Sequence, residues 1–275
     1  MTLSVNTNAG ALVALQNLTA TESSLATAQN QVSTGLAVSS AKDNGAIWAI
    51  AQNQRSSSSA LDSVKQSLQR VQSTVDVATS AGSSVSDLLN QLKSTALSAT
   101  DTSLDTQSRN ALNTDFNQLV KQVQNVISNA SFNGANLLNG SVTNLAALAS
   151  ADGQNHLTVA AQNLSLGGTI ISLSATQSIS TAALASTALT AINSSISSVN
   201  NALATLGASS NSLTSQLTFV GTLQDTIDTG VGNLVDANLA KESAQLQALQ
   251  TKQSLGIQAL SIANSSSSSL LSLFR

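Results

Sequence analysis

The side chains able to perform acid–base or metal chemistry are few in this protein of 275 residues, and they are widely separated. Its single histidine, His156, lies in a turn-rich segment without a carboxylate and a hydroxyl arranged as a triad, so a solvated loop histidine is favoured over acyl transfer. The closest acidic pairs, Asp225 with Asp228 and Asp236 with Glu242, are typical of helix-surface charges or caps, because a metal site needs several converging ligands. The sequence therefore predicts no enzyme, no metal site and no cofactor.

Nucleotide and nucleic-acid binding also lack the residues they require. The glycines at 167–168 and 230–232 have neither the lysine nor the strand-to-helix setting of a phosphate-binding loop. The ten Lys and Arg residues are scattered, the formal net charge is -3 and the pI is near 4.9, so no basic surface for phosphates is expected. Cysteine is absent, which excludes disulfides and thiolate chemistry.

Membrane insertion is not expected either. No run of 18 or more apolar residues occurs, and the N-terminal MTLSVNTNAGALVALQN lacks the basic region and apolar run of a cleaved secretory signal. An amphipathic coat on a lipid surface or granule is an alternative, but the polar faces carry Ser, Thr, Asn and Gln where such a protein needs Lys and Arg. Neutral polar groups are less costly to bury than charges, so this composition favours dense packing of subunits.

The longest regular pattern is an apolar seam from Leu61 to Ala99, with steps that alternate between three and four residues as in a coiled coil. A helix of this extent is roughly 60 Å long, which predicts a rod. The seam comprises Leu61, Val64, Leu68, Val71, Val75, Ala78, Gly82, Val85, Leu89, Leu92, Ala96 and Ala99, and Gly82 is its one soft point.

Two further seams have the same period. The second comprises Leu112, Phe116, Leu119, Val123, Val126 and Ala130. The third comprises Leu189, Ile192, Ile196, Val199, Leu203, Leu206, Ser210, Leu213, Leu217, Val220, Gln224 and Ile227. Each stripe can be buried only against the others, and no proline interrupts them, so the fold class is mainly α: a long antiparallel coiled-coil helical bundle.

A different pattern occupies about 131–181. Turn signals at Asn133-Gly134, Asn139-Gly140, Asp152-Gly153 and Gly167-Gly168 surround the β-prone runs HLTVAA and TIISLS. A small β-rich segment joining the long helices is predicted, and a flexible Ser-rich loop is the alternative.

Both ends of the sequence have thinner apolar stripes and are expected to pair with each other. The C-terminal SSSSSLLSLFR poses a problem of its own, because Asn264 and five serines cost about 3 kcal/mol of helix propensity together. Burial of Leu270, Leu271, Leu273 and Phe274 would return about 6–12 kcal/mol, so burial decides whether this tail is helical. One partner helix covers only one side, which predicts packing against further copies of the protein.

Both ends also carry motifs of a known family. The segments SVNTNAGALVAL at 4–15 and LATAQNQVSTGLAVSSAKDNGAIWAIA at 25–51 resemble the N-terminal flagellin signature. The segment LVDANLAKESAQLQALQTKQSLGIQALSIANSSSSSLLSLF at 234–274 resembles the C-terminal signature. The motifs occur in the right order and at the right distance from each end, so the protein is identified as resembling a short bacterial flagellin without large outer domains.

The resemblance implies a secreted, extracellular subunit that polymerises into the bacterial flagellar filament for swimming motility. It further implies export in the unfolded state through the flagellar type III apparatus, folding on assembly, and partners that include an export chaperone and cap and junction proteins. The nearest alternative is the hook-filament junction protein, which is similar at both ends but joins different neighbours. Nucleic acid and membrane are not among the expected partners.

The resemblance also suggests a division into parts. The expected parts are an N-terminal inner-core helix at 1–38, a connecting segment at 39–57, outer-core helices at 58–130, the β-rich segment at 131–181, a returning outer-core helix at 182–232 and a C-terminal inner-core helix at 233–275. The stripes of the two ends are the expected assembly interface: Val5, Leu12, Leu15, Leu18, Leu25, Val32, Leu239, Leu246, Leu249, Leu260, Leu270, Leu271, Leu273 and Phe274.

Overall fold

The computed structural model describes the backbone of residues 7–272 and the side chains as far as Ser265. In sequence order the described elements are α1 (Ala9–Thr34), α2 (Gly45–Ala99), α3 (Thr106–Asn129), β1 (Asn144–Leu148), β2 (His156–Ala160), α4 (Ala182–Val235) and α5 (Leu239–Ser272). This order confirms a mainly helical fold with a small β-rich segment. None of the described helices combines the length and the hydropathy that a membrane span requires.

The protein divides into two compact units. One, the terminal unit, contains Met1–Ser56 and Thr226–Arg275, and the other, the central unit, contains Ser57–Asp225. The central unit holds most of the buried apolar side chains, among them Phe116, Leu68, Leu89 and Ile192. It is therefore the part of the protein with a conventional hydrophobic core.

The seam predicted for α2 is confirmed, since all twelve of its residues from Leu61 to Ala99 are buried. Gly82 is not a soft point but a close contact, because a Cβ atom there would lie 2.7 Å from Leu203 Cδ2 of α4. Glycine thus lets the Leu203 side chain lie directly against the α2 backbone. The predicted weakness is wrong, and the position is one of tight packing.

On α3 and α4 the predicted seams are confirmed at some positions and displaced to neighbouring residues at others. The predicted residues that are buried are Phe116, Val123, Ala130, Ile192, Val199, Leu206, Leu213 and Val220. Val120 is buried on α3 where Leu119 was predicted, and Leu119 is half-buried. On α4 the fully buried residue is Ser195, with Ile196 half-buried beside it. The reason is that α4 contacts both α2 and the β-rich segment. The Ser172 N–H of the β-rich segment donates to Ser195 Oγ at 3.1 Å. The covered face of α4 is therefore wider than one seam.

Polar side chains fix the antiparallel alignment of α2 and α4. Gln224 Nε2 donates to Asp62 Oδ1 at 2.9 Å, and Lys65 Nζ donates to Gln224 Oε1 at 2.5 Å. Further along, Gln72 Nε2 donates to Ser210 Oγ at 2.7 Å. Residues later in α2 therefore contact residues earlier in α4, as an antiparallel bundle requires.

The β-rich segment is ordered rather than a flexible loop. Strands β1 and β2 pair antiparallel with Ala146 opposite Thr158, and Ala147 and Val159 are buried. HLTVAA was predicted correctly as a strand, whereas β1 was missed. TIISLS forms only an isolated bridge between Leu166 and Ile171, because its backbone is held by the α4 side chain of Ser195 instead of by a neighbouring strand.

A buried asparagine joins the β-rich segment to the end of α3. Asn136 is only 3% exposed, and its Nδ2 donates to Ile127 O at 2.8 Å, which satisfies a carbonyl in the last turn of the helix. Its Oδ1 accepts from the N–H groups of Leu138 at 2.8 Å and Asn139 at 3.1 Å. One side chain thus satisfies the helix end and the following turn.

We expect Asn136→Ala to lower the free energy of unfolding of the central unit by about 2–4 kcal/mol, because buried donors and acceptors lose their partners together. Urea unfolding followed by far-ultraviolet circular dichroism measures the change. Asn110→Ala is the matched control, since Asn110 lies exposed on α3, the helix whose end Asn136 binds, and it should change the stability by less than about 0.5 kcal/mol. Equal effects of the two substitutions would contradict the assigned role of Asn136.

Candidate assembly interface

Helices α1 and α5 pack against each other along one side within the terminal unit. Asn8 caps α1 by accepting from the Ala11 N–H at 3.0 Å, and its Nδ2 donates to Ala263 O of α5 at 2.8 Å. A Cβ atom on Gly256 would lie 3.3 Å from Leu18 Cδ1, so the two helices approach closely there. The start of α1 therefore lies beside the late part of α5, which makes the pair antiparallel.

The other end of the pair is closed by backbone contacts. Gly35 ends α1 in the left-handed region at φ 72°, where glycine is favoured, and its carbonyl accepts from the Ala237 N–H at 2.8 Å. The Ala37 N–H donates to Val235 O at 2.7 Å. A small apolar cluster lies next to this closure: Val38, Ala51, Val231 and Val235, with Leu36, Ile47, Trp48 and Ile227 packed against it.

The contact between α1 and α5 buries little apolar surface. On α1 only Thr21 and Ala28 are fully buried, and on α5 no residue as far as Ser265 is. The best-covered leucines, such as Leu18 and Leu260, are half-buried. Because helices gain most of their stability from packing of an apolar face, this pair is marginal by itself.

Six residues of the predicted interface take part in this half-buried contact: Leu18, Leu25, Val32, Leu246, Leu249 and Leu260. Three others are exposed, with Leu12 58%, Leu15 49% and Leu239 50% accessible. Val5, Leu273 and Phe274 lie outside the described residues. Leu270 and Leu271 lie within α5, beyond the last described side chain.

Exposed apolar side chains outside the predicted stripes extend the candidate interface. They are Val13 on α1, and Leu255, Ile257 and Ile262 on α5. Leu12 and Leu15 line a shallow groove on α1 together with Gln16, Thr19 and Ala20. Sequence reasoning missed the four because it followed one stripe per helix, and a search for every apolar residue outside that stripe would have found them. Both helices thus have a covered side and an uncovered apolar side.

The ionisable side chains considered in the sequence form no metal site in the described part of the protein. His156 is an exposed residue at the start of β2. Across the described part of the protein, no group of three or more His, Asp or Glu is placed to hold a metal ion. The feature of this region that calls for explanation is its uncovered apolar surface.

The turn between α1 and α2 is organised by Asp43. Its Oδ2 accepts from the N–H and hydroxyl of both Ser39 and Ser40, at 2.9–3.1 Å. These bonds lower the pKa of Asp43 below its ordinary value, with the Ser39 hydroxyl as the largest cause. Asn44 then caps α2 by accepting from the Ile47 N–H at 3.2 Å.

A lowered pKa means that Asp43 stabilises the turn fully above the pKa of the unfolded carboxyl, and that this contribution is lost as the pH falls through the folded pKa. We expect a nuclear magnetic resonance titration of the Ser39 and Ser40 amides to show a midpoint below that of a carboxyl in the unfolded protein. Asp43→Asn should remove this transition. A midpoint at or above the unfolded value would contradict the hydrogen-bonded geometry.

Comparison with known proteins adds to this geometry. The family model of the bacterial flagellin N-terminal helical region matches residues 5–143. The model of the bacterial flagellin C-terminal helical region matches residues 189–274. Flagellin FljM of Caulobacter vibrioides is 55% identical over 272 residues, which cover 99% of this protein and 98% of that one. A flagellin of Brucella melitensis is 39% identical in an alignment 282 residues long that covers 99% of both proteins.

A solved structure described as a putative flagellar hook-associated protein from Vibrio parahaemolyticus has a similar fold. It aligns with 70% of this protein and 100% of that one at a TM-score of 0.56 and 14% sequence identity. At this identity the likeness concerns the fold alone. The sequence matches, in contrast, extend over both α1 and α5.

Proposed function

The protein belongs to the bacterial flagellin family and is a structural subunit of the extracellular flagellar filament, and we propose that copies of it assemble through the uncovered apolar faces of α1 and α5. It is a short form, since only residues 130–181 separate α3 from α4. Motility follows from the family. The Caulobacter and Brucella relatives match over nearly their full length and are flagellins, so the hook-filament junction protein is not favoured.

One observation supports the proposed interface above all. Among the described side chains of α1 and α5, seven apolar ones are about half or more exposed: Leu12, Val13, Leu15, Leu239, Leu255, Ile257 and Ile262. Scattered exposed leucines are ordinary, but this many exposed apolar side chains on two paired helices are typical of a surface that another protein covers. In a filament of identical subunits, the available cover is the same pair of helices on neighbouring copies.

The few charges on these helices suit burial between subunits. Residues 9–34 contain Glu22 as their one ionisable residue. Asn, Gln, Ser and Thr occupy most of the remaining polar positions, and they can exchange hydrogen bonds across an interface without the desolvation cost of a charge. We assign residues 1–38 and 233–275 to the inner layer of the filament on this basis and on the family resemblance.

The thin contact between α1 and α5 also suggests when these helices become stable. In the free subunit they exchange between unfolded and helical states, and neighbouring copies complete their burial on assembly. A protein whose ends are easily unfolded is suited to export through a narrow channel. Export in the unfolded state, an export chaperone, and cap and junction proteins belong to this proposal as expectations from the family, as does the absence of any catalytic activity or cofactor.

Self-polymerisation tests the filament proposal directly. Purified protein is mixed with short filament seeds or a precipitating salt and viewed by electron microscopy. A filament subunit forms long homopolymers under these conditions, and the polymer grows with protein concentration. If the purified protein fails to polymerise by itself but binds to the ends of filaments made by another flagellin, the result would instead support the junction protein.

A further inference from the structure

Three Asn-Gly pairs occur in the sequence, at 44–45, 133–134 and 139–140, and the structure holds one of them much less firmly than the others. We propose that Asn133 is a site of spontaneous covalent modification, at which its side-chain amide is converted to a carboxylate in the folded protein. The co-reactant is water. The product is aspartate or its backbone-extended isomer, isoaspartate.

The reaction proceeds through a cyclic imide. The backbone nitrogen of Gly134 loses its proton to solvent base and attacks Asn133 Cγ, so a new bond forms between these two atoms while the bond from Cγ to Nδ2 breaks with release of ammonia. Water then adds to either carbonyl of the five-membered ring and opens it to aspartate or isoaspartate. One water is consumed and one ammonia is released for each residue modified, without oxidation or reduction. Glycine favours the attack because it has no Cβ atom to obstruct the approach.

The surroundings of Asn133 do not restrain its side chain against this cyclisation. Asn133 and Gly134 are exposed, at φ values of 49° and 80°, in the two-residue turn closed by mutual hydrogen bonds between Phe132 and Ala135. No described residue forms a hydrogen bond with the side-chain amide of Asn133. Apart from its two chain neighbours, a Cβ built on Gly134 would meet no atom within 4 Å, so the space beside this glycine is open.

Asn139 is also followed by a glycine, but hydrogen bonds and packing restrain it. Its Oδ1 accepts from the Ser141 N–H at 2.9 Å, and its own N–H donates to Asn136 Oδ1 at 3.1 Å. Gly140 lies against the Asn163 side chain, whose Nδ2 would be 2.7 Å from a Cβ at that glycine. Cyclisation at Asn139 must break these contacts first.

Asn44 is restrained in another way. Its side-chain oxygen accepts from the Ile47 N–H at 3.2 Å, and its carbonyl oxygen accepts from the Trp48 N–H at 2.9 Å in the first turn of α2. Gly45, which supplies the attacking nitrogen, is the first residue of that helix. The reaction would require the end of the helix to unwind.

Modification at Asn133 has a structural consequence. It adds a negative charge to a protein of formal net charge -3, in a hollow that Asn133 shares with Arg70 of α2. The isoaspartate product also inserts an extra backbone carbon into the turn, which breaks the pairing of Phe132 with Ala135. The modification therefore alters the surface where the β-rich segment meets α2.

The test uses the three pairs as controls for one another. The full-length protein is incubated at mildly alkaline pH, folded in buffer and unfolded in urea, and the rate of deamidation at each pair is measured by peptide mass spectrometry with chromatographic separation of isoaspartate. In urea the three rates should agree within a few fold. In the folded protein, Asn133 should react at least about tenfold faster than Asn44 or Asn139, the ratio that about 1.4 kcal/mol of local restraint produces.

Two variants complete the experiment. Gly134→Ala should slow modification at Asn133 in the urea-unfolded protein, where backbone strain has no part, which identifies the Gly134 nitrogen as the attacking group. Ser141→Pro removes the N–H that restrains Asn139 and should raise the rate at Asn139 alone, with circular dichroism to verify folding. Equal rates at the three pairs in the folded protein, or protection of Asn133 relative to the unfolded protein as strong as that of Asn139, would overturn the proposal.

Discussion

Replacing both Leu12 and Leu15 by glutamine is expected to raise the critical concentration for polymerisation by roughly ten- to a hundredfold without unfolding the subunit. About half of each side chain is exposed before assembly, and its burial in the filament contributes about 1.5–3 kcal/mol for the pair. Leucine and glutamine have similar helix propensities, so α1 itself should be unaffected. Sedimentation of filaments over a series of protein concentrations measures the effect.

The matched control for this variant is Leu97→Gln. Leu97 is 56% exposed, close to the 58% of Leu12 and the 49% of Leu15, but it lies on α2 in the central unit. The proposed interface predicts a small change in critical concentration for this control. An equal loss of polymerisation in both variants would show that exposed apolar residues matter wherever they lie, and it would remove the special role of the terminal helices.

Deletion of residues 265–275 is expected to abolish polymerisation at every accessible protein concentration. The deletion removes four large apolar side chains, whose burial against neighbouring copies contributes about 6–12 kcal/mol, or at least about four orders of magnitude in affinity. The helical content of the central unit should be unchanged. The residues that form the hydrogen bond from Asn8 to Ala263 and the contact of Leu18 with Gly256 are retained in the shortened protein.

A full-length variant separates the loss of apolar surface from the loss of length. In it, Leu270, Leu271, Leu273 and Phe274 are all replaced by serine. It should fail to polymerise in the same way as the deletion. Normal filaments from either protein, observed by electron microscopy, would contradict the burial of the C-terminal segment between subunits.

Sequence alone predicted the buried face of α2 well. On α2 every seam position from Leu61 to Ala99 is buried, since steps of three and four residues keep one face of a helix against its partner. On α4 the prediction was displaced at some positions, where the small residues Ser195 and Ala202 are buried and the predicted Ile196 and Leu203 are half-buried. The apolar pattern ranks residues by hydrophobicity and so passes over small residues at close contacts.

The β-rich segment was less predictable from its sequence. β1 is the short run Asn144–Leu148, which has no β-branched residue and is set by pairing with β2. The buried Asn136 was also missed, since a polar residue in a turn-rich stretch resembles many exposed ones until its partners are known. Hydrogen bonds of this kind, made across a turn to the end of a helix, leave no periodic signal in the sequence.

The candidate interface could be predicted in part. The stripes identified Leu18, Leu25 and Leu260 as contacts, and they lie half-buried between α1 and α5. The same stripes also contain Leu12, which is exposed, and the sequence did not distinguish it from the half-buried leucines. A helix wheel gives the direction of a side chain, whereas exposure depends on how many neighbours surround the helix.

Amide hydrogen exchange measured on dilute subunits and on assembled filaments tests the assembly account most directly. In dilute solution, the amides of α1 and α5 should exchange much faster than those of α2 between Leu61 and Ala99, and assembly should slow exchange in α1 and α5 while leaving α2 nearly unchanged. Protection of α1 and α5 in the unassembled subunit equal to that of α2, with no further slowing in the filament, would contradict the account.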